Sequence, residues 1–265
     1  MSTIHAIIIA IIEGLTEFLP VSSTAHMKFA NPLIGEGESA FREMFEVVIQ
    51  LAAILSVVVL YYKKFLDFKR ISFYIKLVIA LIPAIVFGVL FKKYIDSALN
   101  NLVFIACVMI AGGVVLLFID RFFKNSTIHA EPQISNTKAF IIGCFQVLSI
   151  VFPGLSRSAA TIIGGMSQKL DRNIAAEFSF FLAVPTMFAA SVKSLYDVHK
   201  HNPEVFATDN MTTLLIGSVV AFIVALLAIK FFIGYLQKHG FKLFGYYRIA
   251  LGIVVLALIY AGYIK

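Results

Sequence analysis

Six stretches of this chain, near residues 43–62, 71–92, 101–120, 173–196, 211–236 and 243–264, are apolar along nearly their whole length. Each reaches the roughly 20 residues that a helix needs to cross the hydrocarbon core of a bilayer. With 60% hydrophobic and 14% charged residues, the chain lacks the polar surface that a soluble domain of 265 residues requires. The expectation is an all-α integral membrane protein with six transmembrane helices, folded as one compact unit.

The net charge of +7 does not make nucleic acid a partner, because the basic residues gather at the ends of apolar runs, as in KKFLDFKR (63–70). That placement is a positive-inside signal. Lys28, Arg42, Lys92, Lys93, Lys193, Lys200 and Lys265 fall on one side, seven in all. Eleven fall on the other: Lys63, Lys64, Lys69, Arg70, Arg121, Lys124, Lys138, Lys169, Arg172, Lys238 and Lys242. The richer side is expected to be cytoplasmic, which puts both termini outside. The start of the chain does not read as a signal peptide, since it lacks a basic region and its apolar run is interrupted by Glu13 and Glu17. Cys107 and Cys144 both sit in apolar segments and imply neither a disulfide framework nor a metal cluster.

Two further apolar runs are too short and too polar to be ordinary spans. Residues 4–19 carry two carboxylates and stop at Pro20; residues 138–152 stop at Pro153-Gly154. Each is followed by a short stretch with hydroxyls, VSSTAHMKF and LSRSAATIIGGM. A short helix, a break at proline and a second short helix describe a re-entrant hairpin. One span plus a loop is the plainer alternative, and the recurrence of break and polar residues favours the hairpin. A shift of 133 residues lays Pro20 on Pro153, Ser23 on Ser156 and Glu13 on Gln146. Glu46 pairs with Glu177 at a shift of 131. The shift is about half the chain, so an internal repeat is expected: residues 1–123, a linker over 124–136, and residues 137–265. Three spans follow each hairpin. An odd number inverts the second copy relative to the first, so the hairpin tips meet near the midplane, where inverted repeats with broken helices place binding sites.

Glu13 and Glu17 are four apart and share one helical face. Carboxylates at membrane depth are costly and mark function unless backbone or hydroxyls satisfy them as a structural pair. After Pro20, Ser22 or Ser23 can cap the next helix, and His26 lies three residues beyond Ser23, near the same face. The second break supplies Ser156, Arg157, Ser158 and Thr161. A helix N-terminus offers free N–H groups to phosphate, and Arg157 adds a forked cation able to hold it bidentately. Together the breaks form one site. Glu17, Ser23, His26 and Arg157 are its candidate catalytic residues, and Glu13 with Glu17 its candidate metal ligands. Glu13, Ser22, Thr24, Ser156, Arg157, Ser158 and Thr161 are candidates for holding substrate.

EGLTEFLPVSSTAHM (13–27) and PGLSRSAAT (153–161) closely resemble the two signature motifs of the bacterial undecaprenyl-pyrophosphate phosphatase family linked to bacitracin resistance. The hydrophobic layout extends the resemblance over essentially the whole chain. The family's acidic motif matches Glu13 and Glu17, its serine Ser23, its histidine His26 and its arginine Arg157. Ala25 stands where the family often has glycine, a tolerable swap within a helix. The resemblance implies hydrolysis of a C55 polyprenyl diphosphate to the monophosphate and inorganic phosphate, in the bacterial plasma membrane. It also implies recycling of the lipid carrier of cell-wall synthesis, an outward-opening pocket and a divalent metal cation, Mg or Ca.

The expected partners are the polyprenyl diphosphate and membrane lipids, with a homodimer as a candidate assembly. The rival reading is a lipid flippase or anion-coupled secondary transporter, whose architecture also uses inverted repeats but needs no Ser/His pair. A membrane scaffold would leave the buried Glu, His and Arg without a purpose. Three assignments of the attacking atom stay open: Ser23 with His26 as base, water activated by His26, or His26 itself with Ser23 binding phosphate.

Overall fold

The computed structural model describes residues 1–67 and 69–264. Phe68, within the basic stretch 63–70, and Lys265, counted above among the basic residues, lie outside the described residues, as do the side chains of Thr208 and Asp209. The described residues form helices α1 (Thr3–Thr16), α2 (Ser23–Leu33), α3 (Ala40–Leu60), α4 (Tyr62–Phe65), α5 (Ile71–Leu90) and α6 (Lys92–Leu99). There follow α7 (Leu102–Phe122), α8 (Asn136–Val151), α9 (Arg157–Ser167), α10 (Arg172–His201), α11 (Thr208–His239) and α12 (Lys242–Tyr260).

Among the described residues six helices, α3, α5, α7, α10, α11 and α12, are long and apolar enough to cross a membrane. Large apolar side chains stay exposed along them, such as Val89, Leu90, Leu215 and Phe231, a surface that only lipid can cover. The protein is a multi-pass membrane protein. The helices follow the expected apolar runs with differences at their ends. The largest is in α10, which continues five residues past the expected end at 196, to His201. Hydropathy reads only the part of a helix that faces lipid, and the polar turn DVHKH carries on beyond it. Short α4 and α6 were not expected as separate helices.

Local chemistry starts the elements. Ser39 caps α3 by accepting from Arg42 N, with Glu43 in the first turn; Asn101 caps α7, Ser135 caps α8 and Asp171 caps α10 in the same way. Gly240, at φ 71°, ends α11.

Helices of the first half pack on those of the second: α1 lies along α11, α8 along α5, α3 along α10 and α7 along α12. Small residues let these backbones approach. A Cβ on Gly113 of α7 would lie 2.9 Å from Gly245 O of α12, and one on Gly245 would lie 2.8 Å from Gly113 O. Gly14 of α1 presses in the same way on Ala221 O, and Gly143 of α8 on Ala80 O.

Helices α1 and α2 have 14 and 11 residues, about 21 and 16 Å long, each shorter than the ~30 Å hydrocarbon core. They fold back on each other, so the start of α1 meets the chain just after α2, where His5 Nδ1 is 2.6 Å from Glu36 Oε1. Helices α8 and α9 do likewise, with Lys138 Nζ donating to Gln168 O at 3.0 Å.

Candidate active site

The two breaks are built on one backbone device. Ser22 (φ 72°) and Ser156 (φ 75°) hold a left-handed conformation that non-glycine residues rarely adopt. Each is the cap of its short helix: Ser22 Oγ accepts from Ala25 N at 3.4 Å and Ser156 Oγ from Ala159 N at 3.2 Å. Ser22, not Ser23, is therefore the structural counterpart of Ser156, and Ser23 that of Arg157. The expected pairing slips by one because the second break has two residues, Gly154 and Leu155, between proline and serine where the first has only Val21. The caps leave earlier first-turn N–H groups of α2 and α9 without intrahelical carbonyls.

Three links hold the breaks together. Arg157 Nη2 donates to Glu17 Oε1 at 2.9 Å, while its Nη1 donates to Ser179 O at 3.2 Å. Ser158 Oγ donates to Phe18 O at 2.8 Å. Arg248 of α12, wholly buried, donates to Pro20 O of the first break and to Gly154 O and Leu155 O of the second at 2.7–3.0 Å, and to Met109 O at 3.1 Å. Gly112 makes room for it, since a Cβ there would collide with the guanidinium. Sequence reasoning missed Arg248, although the signal was present: it is a lone cation inside an apolar run, away from either end.

Ser23 Oγ donates to Glu17 Oε2 at 2.5 Å, so Ser23, Glu17 and Arg157 form one hydrogen-bonded series. They line a cavity of about 120 Å³ with Ser22, Thr24, Ser156, Gln50 and Met187. Gln50 also escaped the sequence reading; its signal is a polar residue one turn after Glu46 in an apolar span. Ser158 and Thr161 are buried instead in structural bonds, Thr161 Oγ1 lying 2.6 Å from Ser179 Oγ and 2.9 Å from Arg157 O.

His26 is turned elsewhere. Its Nδ1 lies 2.7 Å from Ser22 O, which can only accept, so Nδ1 carries the proton. Nε2, 2.7 Å from Tyr247 OH, then accepts from the phenol. Both ring nitrogens are occupied away from Ser23, and the acceptor beside Ser23 is Glu17. Tyr247 was not a sequence candidate; it adjoins Arg248 on α12.

Glu13 is fully buried, and neither of its carboxylate oxygens has a partner among the described residues; the same is true of Arg157 Nε. Among the described residues no three His, Cys, Asp or Glu side chains converge as a metal site. A cation here would have to take Glu13, whose lone pairs are free, a remaining lone pair of Glu17, and oxygens of the substrate. The donor set fits a hard divalent ion.

The bacitracin resistance protein BacA family model matches residues 6–254. The chain is 55% identical over 256 residues to an undecaprenyl-diphosphatase of Flavobacterium psychrophilum, covering 97% of this chain and 95% of that one. It is 48% identical over 278 residues to an undecaprenyl-diphosphatase of Porphyromonas gingivalis, with coverage of 99% and 98%. To an undecaprenyl-diphosphatase of Bdellovibrio bacteriovorus it is 43% identical over 265 residues, again covering 99% and 98%. With its two motifs at the breaks that form the cavity, the chain belongs to the bacitracin resistance protein BacA family.

Proposed function

We propose that this chain hydrolyses undecaprenyl diphosphate to undecaprenyl monophosphate and inorganic phosphate, returning the lipid carrier to cell-wall synthesis. The relatives' name supports the activity. The observation that carries it is the series Ser23–Glu17–Arg157, closed across two helix breaks in a small polar cavity.

A terminal phosphate entering the cavity meets the Arg157 guanidinium and the N-termini of α2 and α9. Ser23 Oγ adds to the phosphorus as its proton passes to Glu17 Oε2. The bond from phosphorus to the bridging oxygen breaks, and Glu17 passes the proton to the departing monophosphate. Water then attacks the phosphoserine, giving a proton to the freed Glu17 carboxylate, and Glu17 returns it to Ser23 Oγ as the bond from phosphorus to Oγ breaks and inorganic phosphate departs. Arg157 stabilises charge on the equatorial oxygens throughout. His26 is a positioning residue here: its Nδ1–H holds the carbonyl of the strained Ser22 cap.

Two carboxylates beside a diphosphate would repel it. Glu13 and Glu17 would hold a divalent cation, Mg or Ca, which when bound would neutralise charge on the phosphate oxygens.

In the membrane, both broken helices are re-entrant, and residues 1–123 and 137–265 form an inverted repeat about the linker 124–136. Supporting this, each hairpin's first helix packs on the second span of the other half, α1 on α11 and α8 on α5, while third spans α7 and α12 pack on each other. Both termini face outward, as the distribution of Lys and Arg favours, and the cavity opens to that side.

The test is phosphate release from undecaprenyl diphosphate by the purified protein in detergent, where there are no two sides to transport between. Release abolished by a chelator and restored by a divalent ion is the expected result. No release under any divalent ion would refute the activity, and full release in chelator would remove the metal.

A further inference from the structure

Beside the polar cavity runs a groove of about 530 Å³ bounded by the first break, α11 and α12. Thr16, Leu19 and Val21 wall it at the break, Ala228 and Phe231 on α11, and Tyr247 on α12. Its surface is hydrocarbon apart from two side-chain hydroxyls, and both are already engaged. Thr16 Oγ1 donates to Ile12 O at 2.6 Å and Tyr247 OH donates to His26. With its hydroxyls engaged in this way, the groove offers little to a polar ligand; its chemistry suits a hydrocarbon chain.

Along the chain, groove and cavity adjoin at two points of the same turn. Glu17 lines the cavity and its neighbour Thr16 the groove; Ser22 lines the cavity and its neighbour Val21 the groove. Tyr247, a groove wall, holds the ring of His26. The polar groups that would meet a phosphate and the apolar walls that would meet a tethered hydrocarbon chain thus come from neighbouring residues of one turn.

Resting on the reading of the chain as a polyprenyl diphosphatase, we infer that this groove seats the isoprene units nearest the diphosphate. Leu19, Phe231 and Tyr247 give the branched chain flat and branched surfaces to pack on. Ala228, 5% exposed, is the smallest side chain lining the groove.

A prenyl diphosphate bearing a diazirine on its first or second isoprene unit tests this in the intact protein in lipid nanodiscs. Photolabel should fall on peptides containing residues 227–231 and 243–247, and be competed by undecaprenyl diphosphate but not by phospholipid. Label elsewhere overturns the inference, as does equal competition by phospholipid, which would make the groove an ordinary seat for membrane acyl chains. A second measurement uses Ala228→Phe, which narrows the groove, and Phe231→Ala, which widens it at an exposed position. The ratio of kcat/KM for undecaprenyl diphosphate over isopentenyl diphosphate should fall roughly tenfold in Ala228→Phe, through KM. An unchanged ratio, in a variant that melts like the parent, also overturns it. Absence of phosphate release by the parent protein from every prenyl diphosphate would instead bring down the reading of the activity, while the labelling still reports on the groove.

Discussion

At the first break Ser22 turns the chain at φ 72° and caps α2; at the second Ser156 turns it at φ 75° and caps α9. Around these matching turns the chemistry is opposite. The first residue of α2 is Ser23, and that of α9 is Arg157. Glu13 and Glu17 before the first proline stand against Gln146 and Ile150 before the second. One half brings carboxylates and a hydroxyl, the other a cation, and a phosphate site exists only where they meet. A strained serine kept at both turns fits a device that aims the next side chain and the helix N-terminus at a common point. If so, changes to the reacting groups should act first on turnover, whereas changes to the frame must harm both breaks together.

The sharpest way to break that view is at Glu17, which touches both halves. Glu17→Gln keeps the shape but cannot take the Ser23 proton, and it loses the charge opposite Arg157. Turnover should fall by about 10³-fold or more, with a drop in melting temperature beside it because the buried Arg157 guanidinium loses its counter-charge. Because Ser23 and Glu17 act as one unit, the double variant with Ser23→Ala should be little worse than the worse single, while His26→Ala should multiply its own loss onto either. Steady-state phosphate release from the purified variants decides it. A His26 loss that vanishes in the Ser23→Ala background would return histidine to the reacting atoms. Arg157→Lys keeps the charge and loses the fork, and should cost about 10²-fold. Near-normal turnover there would end the clamp role.

Arg248 tests the frame. Arg248→Met leaves Pro20 O, Gly154 O, Leu155 O and Met109 O without their donor. At about 1–3 kcal/mol for each buried group left unpaired, stability should drop by several kcal/mol, and activity with it. Gly112→Ala, which crowds the same guanidinium, should show a smaller form of the same joint loss. Thermal melts beside activity separate these from Arg157→Lys, where the charge is kept and activity alone should fall.

Much of this was legible in the chain. Apolar length fixes the spans, and Pro20 and Pro153 mark the breaks, because both signals are local. The expected Ser23–Ser156 pairing slipped by one, since only φ and cap bonds show that Gly154 adds a residue to the second turn. His26 is three residues from Ser23 in sequence, yet its ring reaches back one turn to Ser22 O and across to Tyr247, 221 residues away. Arg248 and Gln50 were hidden for the same reason: each is local to an apolar span, and its partners come from distant segments.

A finer test compares the two caps. Glycine adopts a φ near 70° without strain and is nearly as good as serine at a cap, whereas alanine suffers the strain and provides no cap oxygen. Ser22→Gly and Ser156→Gly should therefore shift stability by only a few tenths of a kcal/mol, and the alanine variants should lose about 1–2 kcal/mol more. The same ordering at both positions is expected from thermal melts in detergent. Different orderings would mean that the turns are alike in angle only.

The smallest expected difference lies at the open ends of the hairpins, outside the apolar spans. Burial pushes the Glu36 carboxyl up, but the hydrogen bond from His5 and the nearby amino group of Met1 outweigh it and hold the carboxyl below its ordinary range. Arg42 also faces this loop, donating to Glu36 O and Gly37 O. A carboxyl depressed by folding contributes stability above its unfolded value, and that contribution disappears as pH falls through the folded value. The second hairpin is tied by Lys138 to a backbone carbonyl, which does not titrate in that range. Acid should therefore loosen the first hairpin's end and spare the second, by less than about 1 kcal/mol for a single, partly exposed tie. Hydrogen exchange near pH 4, corrected for the intrinsic rate, should rise in residues 30–39 relative to pH 7 and stay level in residues 163–170. Glu36→Gln should abolish the pH dependence by loosening the end at both values, and equal acid sensitivity at the two ends would show that the hairpins share this fastening after all.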